Sequence, residues 1–306
     1  MEEIRCGGFT LQKEVHKDGG VVICGSEGSD PVLDLTGAPD ITVIDRKVFL
    51  SCKGLKKVFL PAGIRLLDEW AFSKCSNLKT VRLEGAYAPG ILGKGVFKGC
   101  ERLSSIRFAG MDEDTVHLLA LCANLLENEH LLRADDVGSA GWYEKWDLYL
   151  LSVLATDDAE GSSRVALCGE EDISYDGVGM VDGEMPGETE EYVRQAARNK
   201  CMLCFKRLKY SARLSEVARE RIGDYLRARR FGSDRPFAWQ TLTEDLEGDP
   251  EYFRMYLDIV RPNPEEMDEM IRSLNSTRVQ ARAFLIGEAA KRGSTGGGDV
   301  FDDLFL

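Results

Sequence analysis

One pattern occurs three times between Ile41 and Phe108. Set on its phenylalanine, each copy reads apolar residue, Phe, two residues, Cys, two residues, Leu, two residues, Val or Ile, one residue, Leu or Phe. The first copy is Val48, Phe49, Cys52, Leu55, Val58, Leu60. The second is Ala71, Phe72, Cys75, Leu78, Val81, Leu83, and the third Val96, Phe97, Cys100, Leu103, Ile106, Phe108. The phenylalanines stand 23 and 25 residues apart, a period that builds solenoids. The ending of each copy alternates apolar and polar residues, as a half-buried strand requires. Stacked in register, the endings predict a short parallel sheet with Val58, Val81 and Ile106, then Leu60, Leu83 and Phe108, turned inward. No single copy can bury its apolar face alone, so each depends on its neighbours. Ile44, Leu67 and Leu92 would fill the rungs from the side opposite the sheet. Leu33 and Leu35 read as the strand of a degenerate opening copy, and residues 9–23 as an N-terminal cap.

The run Leu60, Pro61, Ile64, Leu67, Ala71, Phe72, Cys75, Leu78 resembles the BspA-like leucine-rich repeat family. There, a strand ending in Pro is followed by an Ala-Phe pair and then a Cys ahead of the next Leu pattern. The third copy departs, with no counterpart of Pro61 after Leu83 and two extra residues between Glu84 and Gly95. The resemblance covers roughly residues 30–110. It implies a protein-binding solenoid whose repeats carry no enzymatic activity. Many members of the family are surface proteins. Met1 to Gly8, however, contains no apolar stretch of signal-peptide length, and nowhere do 18 apolar residues run together. Secretion and membrane spanning are therefore disfavoured, and the expected setting is a bacterial-type cytoplasm. The 9 cysteines fit a reducing compartment. Cys52, Cys75 and Cys100 should stack one rung apart, about 4.8 Å in a sheet. They read as buried thiols acting as small hydrophobes, with a disulfide or a metal site as the alternative.

From Met111 the apolar period changes from two to about 3.6. Asp112, Glu113 and Asp114 open a helix carrying Val116, Leu119, Cys122, Leu125 and Leu126. Helical spacing returns over Trp142–Leu154, through Tyr192 to Leu208, and from Leu214 to Leu226. Residues 156–187 are rich in glycine and acids and read as a long loop. Asp249-Pro250 and Asn263-Pro264 place a cap before a first-turn proline, and a last helix starts near Ser276 and stops at Gly293. The expected fold class is α+β: a short leucine-rich-repeat solenoid with a parallel sheet, followed by an all-α helical domain, bundled or HEAT-like. Its parts are residues 1–40 (cap and degenerate repeat), 41–110 (solenoid), 111–292 (helical domain) and 293–306 (linker and acidic-apolar tail).

The net charge of −13 hides a division along the chain. Residues 41–110 hold 13 Lys or Arg against 5 Asp or Glu, whereas residues 111–306 hold 23 against 39. The strand residues Lys57 and Phe59, Thr80 and Arg82, Ser105 and Arg107 would face outward. Lys57, Arg82 and Arg107 then predict a positive column suited to an acidic protein surface. The chain's own acidic helical domain could use the same column, or the charges could simply be solvated. Nucleic acid is disfavoured, since the molecule as a whole repels polyanions and Phe59 is the only aromatic on the column.

Other candidates are weaker. Cys201 and Cys204 form a Cys-x-x-Cys pair, but Cys168 and the 3 scattered histidines offer no second ligand pair, and both lie at core spacing on a helix. Glu170, Glu171, Asp172, Asp176 and Asp182 do not follow the calcium-loop spacing. No phosphate loop, Ser–His–Asp order or His-Glu-x-x-His run is present, so no cofactor or catalytic residue is assigned. In the tail, Phe301, Leu304 and Phe305 interleave with acids and read as a short linear motif for a groove on another protein or for the solenoid's basic face. The expected function is a non-enzymatic interaction or scaffold protein. The competing classes are an enzyme with its site in the helical half and a self-assembling structural protein.

Overall fold

A computed structural model describes residues 2–16, 19–158, 187–246 and 249–291. The chain divides into two compact units, residues 1–150 with 210–214, and residues 151–209 with 215–306.

The first unit holds the solenoid. Strands β4 (Val32–Asp34), β6 (Lys57–Leu60), β8 (Thr80–Ala86) and β9 (Ser105–Ala109) form a parallel sheet in that order. Leu33, Val58, Val81 and Ile106 are partners across it and are fully buried, as are Leu60, Leu83 and Phe108 beside them. β4 is thus the strand of the opening copy. The other side of the rungs forms a second sheet, in which β5 (Ile41–Ile44) and β7 (Leu66–Leu67) pair in parallel. Ile44 faces Leu67, which bridges to Leu92. β1 (Glu2–Cys6), β2 (Phe9–Val15) and β3 (Val21–Gly28) extend this sheet as an antiparallel meander and cover the first rung. Phe9 packs edge-on against Phe49, and Phe49, Phe72 and Phe97 stack through the core with centroids 5.1 and 6.0 Å apart. Burying each such side chain is worth about 1.5–3 kcal/mol, so the repeated residues are the ones that hold the rungs together.

The residue just before each Cys and the residue two before each Phe have a geometric role that the pattern alone did not show. Ser51, Lys74 and Gly99 occupy one left-handed position per rung, and Lys47, Trp70 and Gly95 occupy another, with φ from 56 to 74°. These turns swing the chain around the corner opposite the parallel sheet.

Sequence reasoning placed the domain border at residue 110, whereas the compact units meet at 150. The reason is that the last rung needs a cover. Helices α1 (Glu113–Ala123) and α2 (Glu129–Leu132) and the segments beside them supply it. Arg133 Nε donates to the Leu92 carbonyl, Asn124 Nδ2 to Leu103, and His117 Nδ1 bonds the Ser104 carbonyl. A further copy would otherwise have paired with those groups, and buried backbone carbonyls without partners are costly. The first half of α3 (Ala140–Ala155) buries Trp142 and Trp146 in the same unit, their indole N–H groups donating to Leu131 and Leu118.

The second unit comprises the end of α3 and helices α4 (Gly187–Lys209), α5 (Glu216–Arg227), α6 (Phe237–Gln240), α7 (Pro250–Val260), α8 (Pro264–Ser273) and α9 (Val279–Lys291). A π-helical turn, Thr241–Asp245, follows α6. The Asp249-Pro250 and Asn263-Pro264 signals do start helices. Asn263 and Glu266 make a reciprocal capping box, and Asp249 accepts from the Glu251 amide. Phe205, Trp239, Phe253 and Tyr256 pack together as its aromatic core.

Candidate functional site

On the outer face of the parallel sheet, the strands present two rows. Lys57 shares one with Val32, Thr80 and Ser105; Arg82 and Arg107 share the next with Asp34 and Phe59. The expected column of three cations is therefore not formed, because the strand alternation puts Lys57 two residues away from the arginine row. Arg107 is also neutralised: its guanidinium bonds both Glu113 carboxylate oxygens, at 2.6 and 2.5 Å. Those bonds hold the Glu113 carboxyl below its usual range. Arg82 borders a recess of about 180 Å³ with Asp34, Thr36, Phe59 and Glu84. Thr36 donates to Asp34 through its amide and hydroxyl, at 3.0 and 2.7 Å, keeping that carboxylate ionised. The face thus carries Asp34 and Glu84 against Arg82, with Phe59 beside them. It is mixed in sign.

Uncompensated cations lie at the corner where the chain enters the sheet, and Lys74, Lys94 and Lys98, elsewhere on the rungs, are likewise exposed without an ion-pair partner among the described residues. Lys56 and Lys79 occupy equivalent places on adjacent rungs, tied by the Lys79 amide to the Lys56 carbonyl at 2.8 Å, and the Ser104 amide continues the row to Lys79. Asn77 donates to the Lys53 carbonyl, aligning the residues just before them. Lys53, Lys56, Lys57, Lys79 and Arg102 are exposed. Elsewhere in the repeats, Arg46 pairs with Glu69 and leans over the Trp70 ring.

The thiol column is structural in this geometry. Cys75 Sγ donates to the Phe49 carbonyl and Cys100 Sγ to Phe72, each at 3.1 Å, so each thiol ties its rung to the one before. Burial pushes the Cys52 thiol up to about 11. The Cys100 hydrogen bond and burial raise Cys75 as well. Neither is poised as a nucleophile. Cys201 and Cys204 are buried in α4, and burial raises both.

In the second unit a groove of about 910 Å³ runs along α4 and α6. Arg198 crosses it to Glu244 at 2.9 Å and to both oxygens of Asp245. Glu190 lies 3.6 Å from Arg194. Of the carboxylates lining the groove, Glu190 and Glu244 pair with arginines. Close by in the chain, buried Asp158 binds Lys200 at 2.9 Å and Arg229 at 3.1 Å. Phe301, Leu304 and Phe305, and the acidic run from Glu170 to Asp182, lie outside the described residues. Among the described residues, no helix is long and apolar enough to cross a membrane.

Comparison with known families agrees with this architecture. The BspA type leucine rich repeat region matches in 6 copies over residues 32–125. These residues are a BspA-type leucine-rich repeat region. The BspA-type match extends past β9, the last strand of the parallel sheet, and through α1, the helix that seals the array. Among solved structures, similarity is found to a leucine rich cell surface protein from Faecalibacterium prausnitzii A2-165, at 20% identity and a TM-score of 0.27. The alignment covers 35% of this chain and 32% of that one, so the chain spans about a third of its length. No curated protein matches the chain.

Proposed function

We propose that the protein is a non-enzymatic interaction or scaffold protein of a bacterial cytoplasm, and that its BspA-type solenoid recognises an acidic surface on a protein partner. The repeat family supports the interaction role. One observation carries the acidic partner: Lys53, Lys56, Lys57, Lys79 and Arg102 are exposed and have no ion-pair partner among the described residues, although the chain as a whole is acidic. The commitment of the Cys75 and Cys100 thiols as hydrogen-bond donors supports a reducing compartment. Phe59 offers apolar area beside the charges, and Phe301, Leu304 and Phe305 stand as a second contact, offered to a groove on the partner.

Partners captured from the native cell by the intact chain provide the test. Binding to the purified partner should weaken about tenfold or more between roughly 0.05 and 0.5 M salt, as exposed charge pairs are screened. A partner with a basic surface, or an affinity that ignores salt, refutes the reading.

A further inference from the structure

Resting on that reading and deepening it, we infer that the acidic partner docks at the corner where the chain enters the parallel sheet. The ridge Lys53, Lys56, Lys57, Lys79 and Arg102 takes an extended acidic segment of the partner protein, while the sheet's outer face is not the anionic docking surface. Backbone bonds align the ridge across rungs: Lys56 and Lys79 follow one another, and Asn77 holds the Lys53 peptide. All five cations are exposed, and none has an ion-pair partner among the described residues. Glu101 is the one acid among them, beside Arg102. Asp30, near the foot of the ridge, spends its carboxylate on the Gly8 and Val32 amides.

Like charges stacked on neighbouring strands oppose folding. Any polar residue would satisfy these exposed corner positions, so the repetition of lysine there is explained by use rather than by packing. The outer face makes the contrast, since Arg82 shares its recess with Asp34 and Glu84, and Glu113 occupies Arg107.

The chemistry also selects the occupant. Four of the five cations are lysines, flexible point charges that follow carboxylates at irregular spacing. An extended peptide repeats same-side residues every 6–7 Å or so, against about 4.8 Å between rungs, and a four-carbon stem absorbs that mismatch. The ridge has no aromatic residue for base stacking.

The test uses the full chain and labelled poly-L-glutamate, followed by fluorescence anisotropy at low salt. The triple variant Lys53→Glu, Lys56→Glu, Lys79→Glu should bind at least about tenfold more weakly, chiefly through slower association. Arg82→Glu should stay within about twofold of the unaltered chain. The neutral triple Lys53→Gln, Lys56→Gln, Lys79→Gln, with its thermal midpoint checked, should also lose affinity, which separates lost binding from lost folding. If Arg82→Glu weakens binding as much as the ridge variants do, the docking site is the face; the inference falls and the proposed function stands. If the unaltered chain ignores poly-L-glutamate, the proposed function itself falls. Tighter binding of single-stranded homopolymer RNA than of poly-L-glutamate overturns the choice of a protein partner.

Discussion

At the residue scale, the corner turns explain what the repeat tolerates. The third copy places glycine at both left-handed positions, Gly95 and Gly99, whereas the earlier copies hold Lys47, Trp70, Ser51 and Lys74 there. A side chain in that conformation costs about 1–2 kcal/mol. Glycine relieves it but loses about 0.4–1 kcal/mol through a freer unfolded chain. Lys74→Gly should therefore stabilise by a net of about 0.5 kcal/mol in denaturant unfolding. Gly95 has a second reason to be glycine: a Cβ there would lie 2.4 Å from the Trp70 ring. Gly95→Ala should cost about 2–3 kcal/mol and alter Trp70 fluorescence. Little of this was legible beforehand, because Lys74 and Trp70 do not announce a left-handed turn as glycine does. Cys75 and Cys100 were legible as buried thiols, though not as donors to the preceding rung's phenylalanine carbonyl, while Cys52 is only half-buried.

At the scale of elements, the strands and long helices were the readable part, since each rests on a periodic run of apolar side chains. The short α2, α6 and the π-helical turn were not, having four or five residues each and no period to detect. The cover of the last rung was hidden for a different reason. Asn124, Arg133 and His117 are brought to it by tertiary folding, and no local pattern marks them. Asp158 is similar, the second of two adjacent acids near the start of the loop-like run 156–187, with no local pattern to mark it. Burial alone would raise its carboxyl, but hydrogen bonds from Lys200 and Arg229 outweigh that and hold it below the usual range. A depressed carboxyl adds stability above its unfolded value of about 3.9, and that stability is lost as pH falls through the folded value. Asp158→Ala should cost about 3–5 kcal/mol at pH 7, leaving buried Lys200 and half-buried Arg229 without their anion. The gap between variant and parent should narrow in denaturant titrations near pH 3.

For the whole molecule, the charge division read from composition holds, but its placement did not follow from strand alternation alone. Asp34 comes from the degenerate copy, Glu84 from the extended end of β8 and Glu113 from the covering helix. All three lie outside the repeat motif, and together they offset the face. What stays unpaired is then the corner, with Lys74, Lys94 and Lys98 elsewhere on the rungs. At pH 7 and low salt the chain should therefore bind an anion exchanger through its net charge and a cation exchanger through the ridge. The Lys53→Glu, Lys56→Glu, Lys79→Glu variant should elute from the cation exchanger without retention; unchanged retention would place the positive field elsewhere. The seal on the third rung bears on how such an array can lengthen. Its terminal carbonyls are already taken by side chains that suit no other neighbour, so a copy appended after Ala109 would displace them and find nothing to close its own end. A copy duplicated between Leu83 and Gly93 would meet a rung on either side, leaving both lids seated. Growth in this lineage is thus expected from within the stack, with the two ends inherited unchanged.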